Sequence, residues 1–172
     1  MAPVDDGEAR VGTTPGLESA YRAHYRSLVR LASLLVDDVG TCEEIVQDAF
    51  VRVWRRAPVL DADDRLPAYL RSAVLNGARS HVRRSVVARR HLRSVPEPTA
   101  PASDHALVGD DHRVLAALRS LPARQRDVLA LRYYLDLSEA EIAQTLRISA
   151  GSVKTHAHRG LAALADRLED LR

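Results

Sequence analysis

An all-α protein, with two small helical domains joined by a flexible linker, is the fold class that three features of this sequence predict. Aromatic residues make up only 4% of the chain and glycines number 8, while Ala, Leu, Arg and Val recur every three or four residues, the spacing that lines up one face of an α-helix. That periodicity stops at "SVPEPTAPASDHALVGDD", where Pro, Ser, Ala and Asp replace it. Beyond this break, two periodic segments are parted by a stretch too short for anything but a sharp turn. The expected boundaries are a tail at 1–16, a first domain at 17–95, a linker at 96–111 and a second domain at 112–172.

The first helix is expected from Leu17 through Tyr21, Tyr25, Leu28, Leu31, Ala32 and Leu35, ending near "VDDVG". Thr41-Cys42-Glu43-Glu44 reads as a capping box, in which the Thr41 hydroxyl accepts from the backbone N–H of Glu44 and the Glu44 carboxylate reaches back. It opens a helix whose apolar stripe is Cys42, Ile45, Val46, Ala49, Phe50, Val53 and Trp54, with Glu43, Glu44, Gln47, Asp48, Arg52 and Arg55 on the other side. Cys42 is therefore expected in a core, and as the only cysteine it has no disulfide partner within the chain. Pro67 suits the first turn of a third helix that continues through Tyr69, Leu70, Ala73, Val74, Ala78 and Val82. In the second domain, helical runs fall at Val114–Leu118, Val128–Tyr134, Ile142–Leu146 and Val153–Leu168.

The net charge of +2 conceals an uneven distribution. Residues 1–65 carry 8 Arg against 12 acids, 66–95 carry 7 Arg and no acid, 96–111 carry 4 acids and no base, and 112–172 carry 10 bases against 7 acids. The third helix holds the acid-free block, with Arg71, Arg79, Arg83, Arg84, Arg89, Arg90 and Arg93. A solubilising surface mixes both signs, so this block points to a polyanion, and nucleic acid before a membrane surface. No apolar run approaches the roughly 20 residues needed to span a bilayer, and "MAPVDDGEARVGTTPG" is acidic where a signal peptide is basic. The chain is expected in the cytoplasm with no membrane insertion.

In "LSEAEIAQTLRISAGSVKTHAHRG", Ser138 to Glu141 form a second capping box, flanked by Leu137 and Ile142 as a hydrophobic staple. The short helix stops at Arg147-Ile148-Ser149, and Ser149 caps the next one with Ile148 and Val153 as its staple. Two helices joined so tightly must cross steeply, as in a helix-turn-helix, and the small Ala143 sits where they approach. Val153, Ala157, Leu161, Leu164 and Leu168 form the expected buried stripe of the second helix. Gly151, Ser152, Thr155, His158 and Arg159 then face away, with Lys154, the only lysine, at the border. Small residues let this helix end approach a groove, where its N–H groups and dipole favour phosphate and its side chains reach base edges.

Other chemistries find no support. His156 and His158 are two residues apart, which places them about 200° apart on a helix and unable to grip one ion. There is no glycine-rich phosphate loop, nucleophile elbow or carboxylate pair set in an apolar pocket. No catalytic residue, metal or cofactor is expected.

Taken together, "TCEEIVQDAFVRVWRR", "LPAYLRSAVLNGARSHVRR", the Pro-rich linker and "LPARQRDVLALRYYLDLSEAEIAQTLRISAGSVKTHAHRGLAAL" resemble the extracytoplasmic-function sigma factors of bacterial RNA polymerase, in order and over nearly all of 17–168. The resemblance implies a first domain that binds core RNA polymerase and melts the minus-ten element, and a second that binds the minus-thirty-five element of promoter DNA. By position, Glu43, Glu44, Gln47, Asp48 and Arg52 would contact the clamp of the largest polymerase subunits. Asn76, Arg79, Ser80, His81, Arg83 and Arg84 would hold the non-template strand, since melting needs a pocket for a captured base and a basic groove for its backbone. Ser152, Lys154, Thr155, His158 and Arg159 would enter the upstream groove, with Arg124 and Arg126 clamping phosphates beside it. An anti-sigma partner is also implied by the family, though no residue here identifies one.

The sequence departs from the family at three points. Arg147 stands where glycine commonly ends the first helix of the pair, so the turn is expected to be strained or differently wound. Ser80 and His81 lie near a position that is often aspartate, and the basic helix offers only Tyr69 as an aromatic for base stacking. The alternative reading is a one-component helix-turn-helix regulator that binds an operator as a dimer. Such a protein would need a sensing or receiver domain upstream, where this chain has an acid-free helix. A nucleic-acid enzyme would need a metal-binding carboxylate cluster beside the basic patch, which the sequence lacks.

Overall fold

The structure, a computed structural model, describes residues 15–56, 65–91 and 110–170. Most of the expected tail and linker, and Arg93, lie outside the described residues. The described residues are helical throughout, apart from short turns. Three helices form the first unit: α1 (Pro15–Ser33), α2 (Val39–Arg56) and α3 (Leu66–His91). The second contains α4 (Asp110–Ser120), α5 (Ala123–Leu129) continuing into a π-helical turn (Ala130–Tyr134), α6 (Glu139–Leu146) and α7 (Ala150–Asp170).

The stripe read from the sequence buries Leu28, Leu31 and Ala32 of α1, and Leu35 in the turn after it, against Cys42, Ile45, Val46, Ala49, Phe50 and Val53 of α2. Burial, and then the nearby Asp38 charge, push the Cys42 thiol up to about 11, so it stays protonated and unreactive near neutral pH. Two expectations for α2 are corrected. The helix starts at Val39, because the Asp38 carboxylate accepts the Thr41 N–H at 2.6 Å and takes the capping role assigned to Thr41. Hydrogen bonds from Thr41 hold the Asp38 carboxyl below the usual range. Trp54, placed on the core stripe, is 50% exposed. It lies one step around the helix from the buried Val53, beyond the edge of the packed face. Opposite, α3 comes close enough that a Cβ on Gly77 would lie 2.8 Å from Ile45 Cγ2.

In the second unit the capping box at Ser138 is present in both directions. The Glu141 N–H donates to Ser138 Oγ at 3.3 Å, and the Ser138 N–H donates to Glu141 Oε2 at 2.9 Å. Arg147 adopts φ 54°, ψ 51°, the left-handed conformation that its glycine-like position requires, and its N–H reaches the Ala143 carbonyl. Ser149 then caps α7, accepting the Ser152 N–H at 3.1 Å. The stripe on α7 is Val153, Ala157 and Gly160 with Leu164 half-buried, whereas Leu161 is 43% exposed. A step of three at Gly160 follows the 3.6-residue period better than a second step of four. Gly160 also admits α5, since its Cβ would meet Leu129 Cδ1 at 3.1 Å.

The two units share the main core. One cluster runs from Leu28, Val46, Leu70 and Val74 to Val128, Leu131, Ile142 and Val153, and α6 packs on α3. Arg119 of α4 fastens the units at another point. It donates to the carbonyls of Leu34 at 3.2 Å and Ser33 at 2.6 Å and pairs with Asp37, so a cation satisfies the orphan carbonyls at the end of α1.

Candidate nucleic-acid interface

The helix-turn-helix leaves the start of α7 facing outward. Lys154, Thr155, His158 and Arg159 are exposed there and Ser152 is half-buried, close to the outward face read from the sequence. Three of these side chains have local partners, one of them the Ser152 hydroxyl, which shares a hydrogen bond of 2.9 Å with that of Ser149. The Thr155 hydroxyl donates to the Gly151 carbonyl at 3.0 Å, and the Lys154 ammonium lies 3.7 Å from Glu139 Oε2. Glu139 also accepts from Arg132 at 3.4 Å. Lys154 is thus steered across the turn by a pair in which the lysine is exposed and Glu139 half-buried, at a separation long enough for a phosphate to displace it at little cost.

On α2, Glu43, Glu44, Gln47, Asp48 and Arg52 all lie on the exposed face. Val51 and Trp54 are also exposed there, giving the charged face an apolar margin that the sequence reading did not find. Among the minus-ten candidates on α3, Asn76, Arg83 and Arg84 are exposed, and Arg79, Ser80 and His81 are half-buried. A cleft of about 210 Å³ brings Asp48 and Arg52 beside Ser80, Arg83 and Arg84. The expected polymerase and single-strand faces therefore meet along one edge.

Arg79 is held across the seam between the units. Its Nε donates to Asp127 Oδ2 at 2.9 Å, a second bond to the same oxygen comes from its terminal nitrogen, and it also donates to Asn76 Oδ1 at 3.0 Å. Asp127 is fully buried. Burial raises its carboxyl pKa, and the adjacent Arg79 pulls it back only in part. Sequence reasoning missed Asp127 and Arg119, because partners 48 and 82 residues apart leave no local signal.

Arg124 and Arg126, assigned to phosphates, also serve helix ends. Arg124 donates to the Leu146 carbonyl at 3.3 Å, closing α6. Arg126 is only 8% exposed and donates to the Arg119 carbonyl at 3.1 Å, while Arg167 reaches the Ser120 carbonyl at 3.3 Å; together these two close α4. The structure brings Arg124 to the surface and does not bring Arg126 there.

Residues 20–86 match the model of sigma-70 region 2, and residues 111–164 match that of sigma-70 region 4. The chain is 31% identical over 179 residues to the ECF RNA polymerase sigma factor SigL of Mycobacterium tuberculosis, covering 95% of this chain and 97% of SigL. It is 36% identical over 157 residues to the RNA polymerase sigma-E factor of Streptomyces avermitilis, covering 88% and 84%. Among solved structures, the fold is shared with the sigma factor RpoE bound to the anti-sigma factor NepR from Bartonella quintana. That match has 20% identity and a TM-score of 0.70, covering 90% of this chain and 98% of RpoE. CnrH, in complex with the cytosolic domain of CnrY, gives 23% identity and a TM-score of 0.69, covering 90% and 88%. The chain belongs to the extracytoplasmic-function sigma factors, and its function is promoter-directed initiation of transcription.

Proposed function

We propose that the outer face of α2 binds the clamp of core RNA polymerase, that α3 holds the melted minus-ten strand, and that α7 enters the major groove at the minus-thirty-five element. The observation that carries this division is the adjacency of the α2 face to the exposed Arg83 and Arg84 of an acid-free helix, with a separate helix-turn-helix in the same chain. A strand melted beside the polymerase clamp needs cationic side chains next to the docking surface, whereas a duplex upstream needs a presented helix end. Arg124 is the phosphate clamp beside α7. Arg126 acts by holding α4 against α5.

The chain acts as an initiation factor without catalysis of its own, in the cytoplasm where polymerase works. Among the described residues, no helix is long and apolar enough to cross a membrane. The anti-sigma complexes of RpoE and CnrH make an anti-sigma protein a partner for this chain as well. The dimeric-regulator alternative required a sensing unit where sigma-70 region 2 is matched.

Light scattering coupled to gel filtration, on the chain alone and mixed with core polymerase, tests the assignment. Co-elution at one chain per core is expected, and Asp48→Arg should abolish it while leaving helicity unchanged. A stable dimer that ignores core would overturn the proposal. Unaltered association of Asp48→Arg would remove α2's face from the contact.

A further inference from the structure

A second basic feature is only partly accounted for by polymerase and promoter binding. Arg52 and Arg55 at the end of α2, Arg124 at the start of α5 and Arg147 at the end of α6 line one cleft of about 550 Å³, together with Tyr69 and Asn76 of α3. No carboxylate is among the lining residues. Arg79, which also borders the cleft, is engaged by Asp127. Arg124 gives one N–H to the Leu146 carbonyl, while Arg52, Arg55 and Arg147 have no ion pair among the described residues. Four guanidinium groups drawn from both units and without an ion pair among the described residues repel one another, and a compact multivalent anion would relieve that repulsion.

We propose that this cleft binds an oligophosphate of the nucleoside di- or triphosphate class, with the arginines on the phosphates and Tyr69 and Asn76 on the base. The planar guanidinium fork matches phosphate oxygens two at a time. An aromatic face and a side-chain amide are the groups that stack on a base and pair with its edge. A duplex is too wide for a cleft of this size between the packed units. Arg52, Asn76 and Arg124 are shared with the polymerase and promoter contacts proposed above, whereas Arg55 and Arg147 are not. Because its walls come from both units, the ligand binds only their packed arrangement and favours it by mass action.

Isothermal titration of the full chain with ATP, at about 0.15 M salt to screen diffuse attraction, tests the site. One site per chain is expected. Arg147→Gly removes one cleft charge while supplying the residue that the left-handed backbone prefers, so its effect cannot be put down to misfolding. It should weaken ATP binding about tenfold or more, the worth of one charge-assisted hydrogen bond. The double variant Arg26→Ala/Arg30→Ala, which removes two exposed charges from α1, should bind within about twofold of the parent. Equal losses in both variants would reduce the effect to net charge and overturn the site, as would an absence of saturable binding up to about millimolar ATP. Inorganic tripolyphosphate binding as tightly as ATP would overturn the role given to Tyr69 and Asn76. A hexathymidylate strand that outcompetes ATP through Arg147 would show the cleft to be a strand site instead.

Discussion

The two helices proposed to face DNA are presented differently. The start of α7 stands clear, with Lys154, Thr155, His158 and Arg159 exposed and Lys154 held only by a long pair, at 3.7 Å, to the half-buried Glu139. The middle of α3 lies at the seam, where Arg79 is committed to the buried Asp127 and Ser80 and His81 are half-covered. A helix that reads an intact duplex can be left open, because its phosphate partners are available without rearrangement. A face that grips single-stranded DNA carries unpaired cations that would attract any polyanion, and here the most buried of them is neutralised internally. Contact with a strand through Arg79 then requires exchange of Asp127 for phosphate.

The largest expected effect separates the exposed arginines of α3 from the committed one. Arg83→Ala/Arg84→Ala should lower open-complex formation, read by permanganate reactivity, by on the order of 100-fold, about two charge-assisted contacts, with core association retained. Equal loss of both activities would break the division of labour between α2 and α3. Next comes the seam. Arg79→Ala leaves a buried carboxylate without a partner and should cost about 3 kcal/mol in urea unfolding near pH 7. Asp127→Ala should cost less, because the Arg79 side chain is 26% exposed and can turn to water. The sign with pH follows from the raised pKa of Asp127. Once Arg79 is gone the carboxyl titrates higher still, so the deficit of Arg79→Ala relative to the parent should shrink as pH falls through that value. A deficit that grows on acidification would contradict a buried, unpaired Asp127.

Smaller effects sharpen the contrast between the units. Gly77→Ala places a methyl 2.8 Å from Ile45, a β-branched side chain with little room to yield, and should cost about 1 kcal/mol net of the helix propensity that alanine gains. Gly160→Ala, with contacts of 3.1 to 3.3 Å to longer side chains, should fall near zero. The order of the two melting temperatures checks this. Lys154→Ala should weaken duplex binding uniformly across sequences and make the salt slope shallower by about one unit. Loss confined to one promoter base would instead make Lys154 a base reader.

Local chemistry made much of this legible in the sequence. The Ser138 box, the Ser149 cap and the buried Cys42 each follow from residues within four positions. Errors arose where neighbours competed or the helical period drifted. Asp38 displaced Thr41 as the cap, and Trp54 and Leu161 fell just past the edges of their stripes. What the sequence could not show was tertiary: the core shared by α3 and α6, the Arg79–Asp127 bridge, and the use of Arg119, Arg124, Arg126 and Arg167 to close helix ends. An arginine bound for a carbonyl looks the same in sequence as one bound for a phosphate.

The most direct test of the seam's role is the distance between units, measured by electron spin resonance on spin labels at Ala88→Cys on α3 and Ala162→Cys on α7, both exposed. Cys42 can remain, since its buried thiol at a pKa of about 11 will not take the label. A single short distance in the free chain, replaced by a longer one with core polymerase and promoter DNA, is the predicted result. An unchanged distance would mean that the packed arrangement persists in the working complex, and that Arg79 never exchanges Asp127 for DNA.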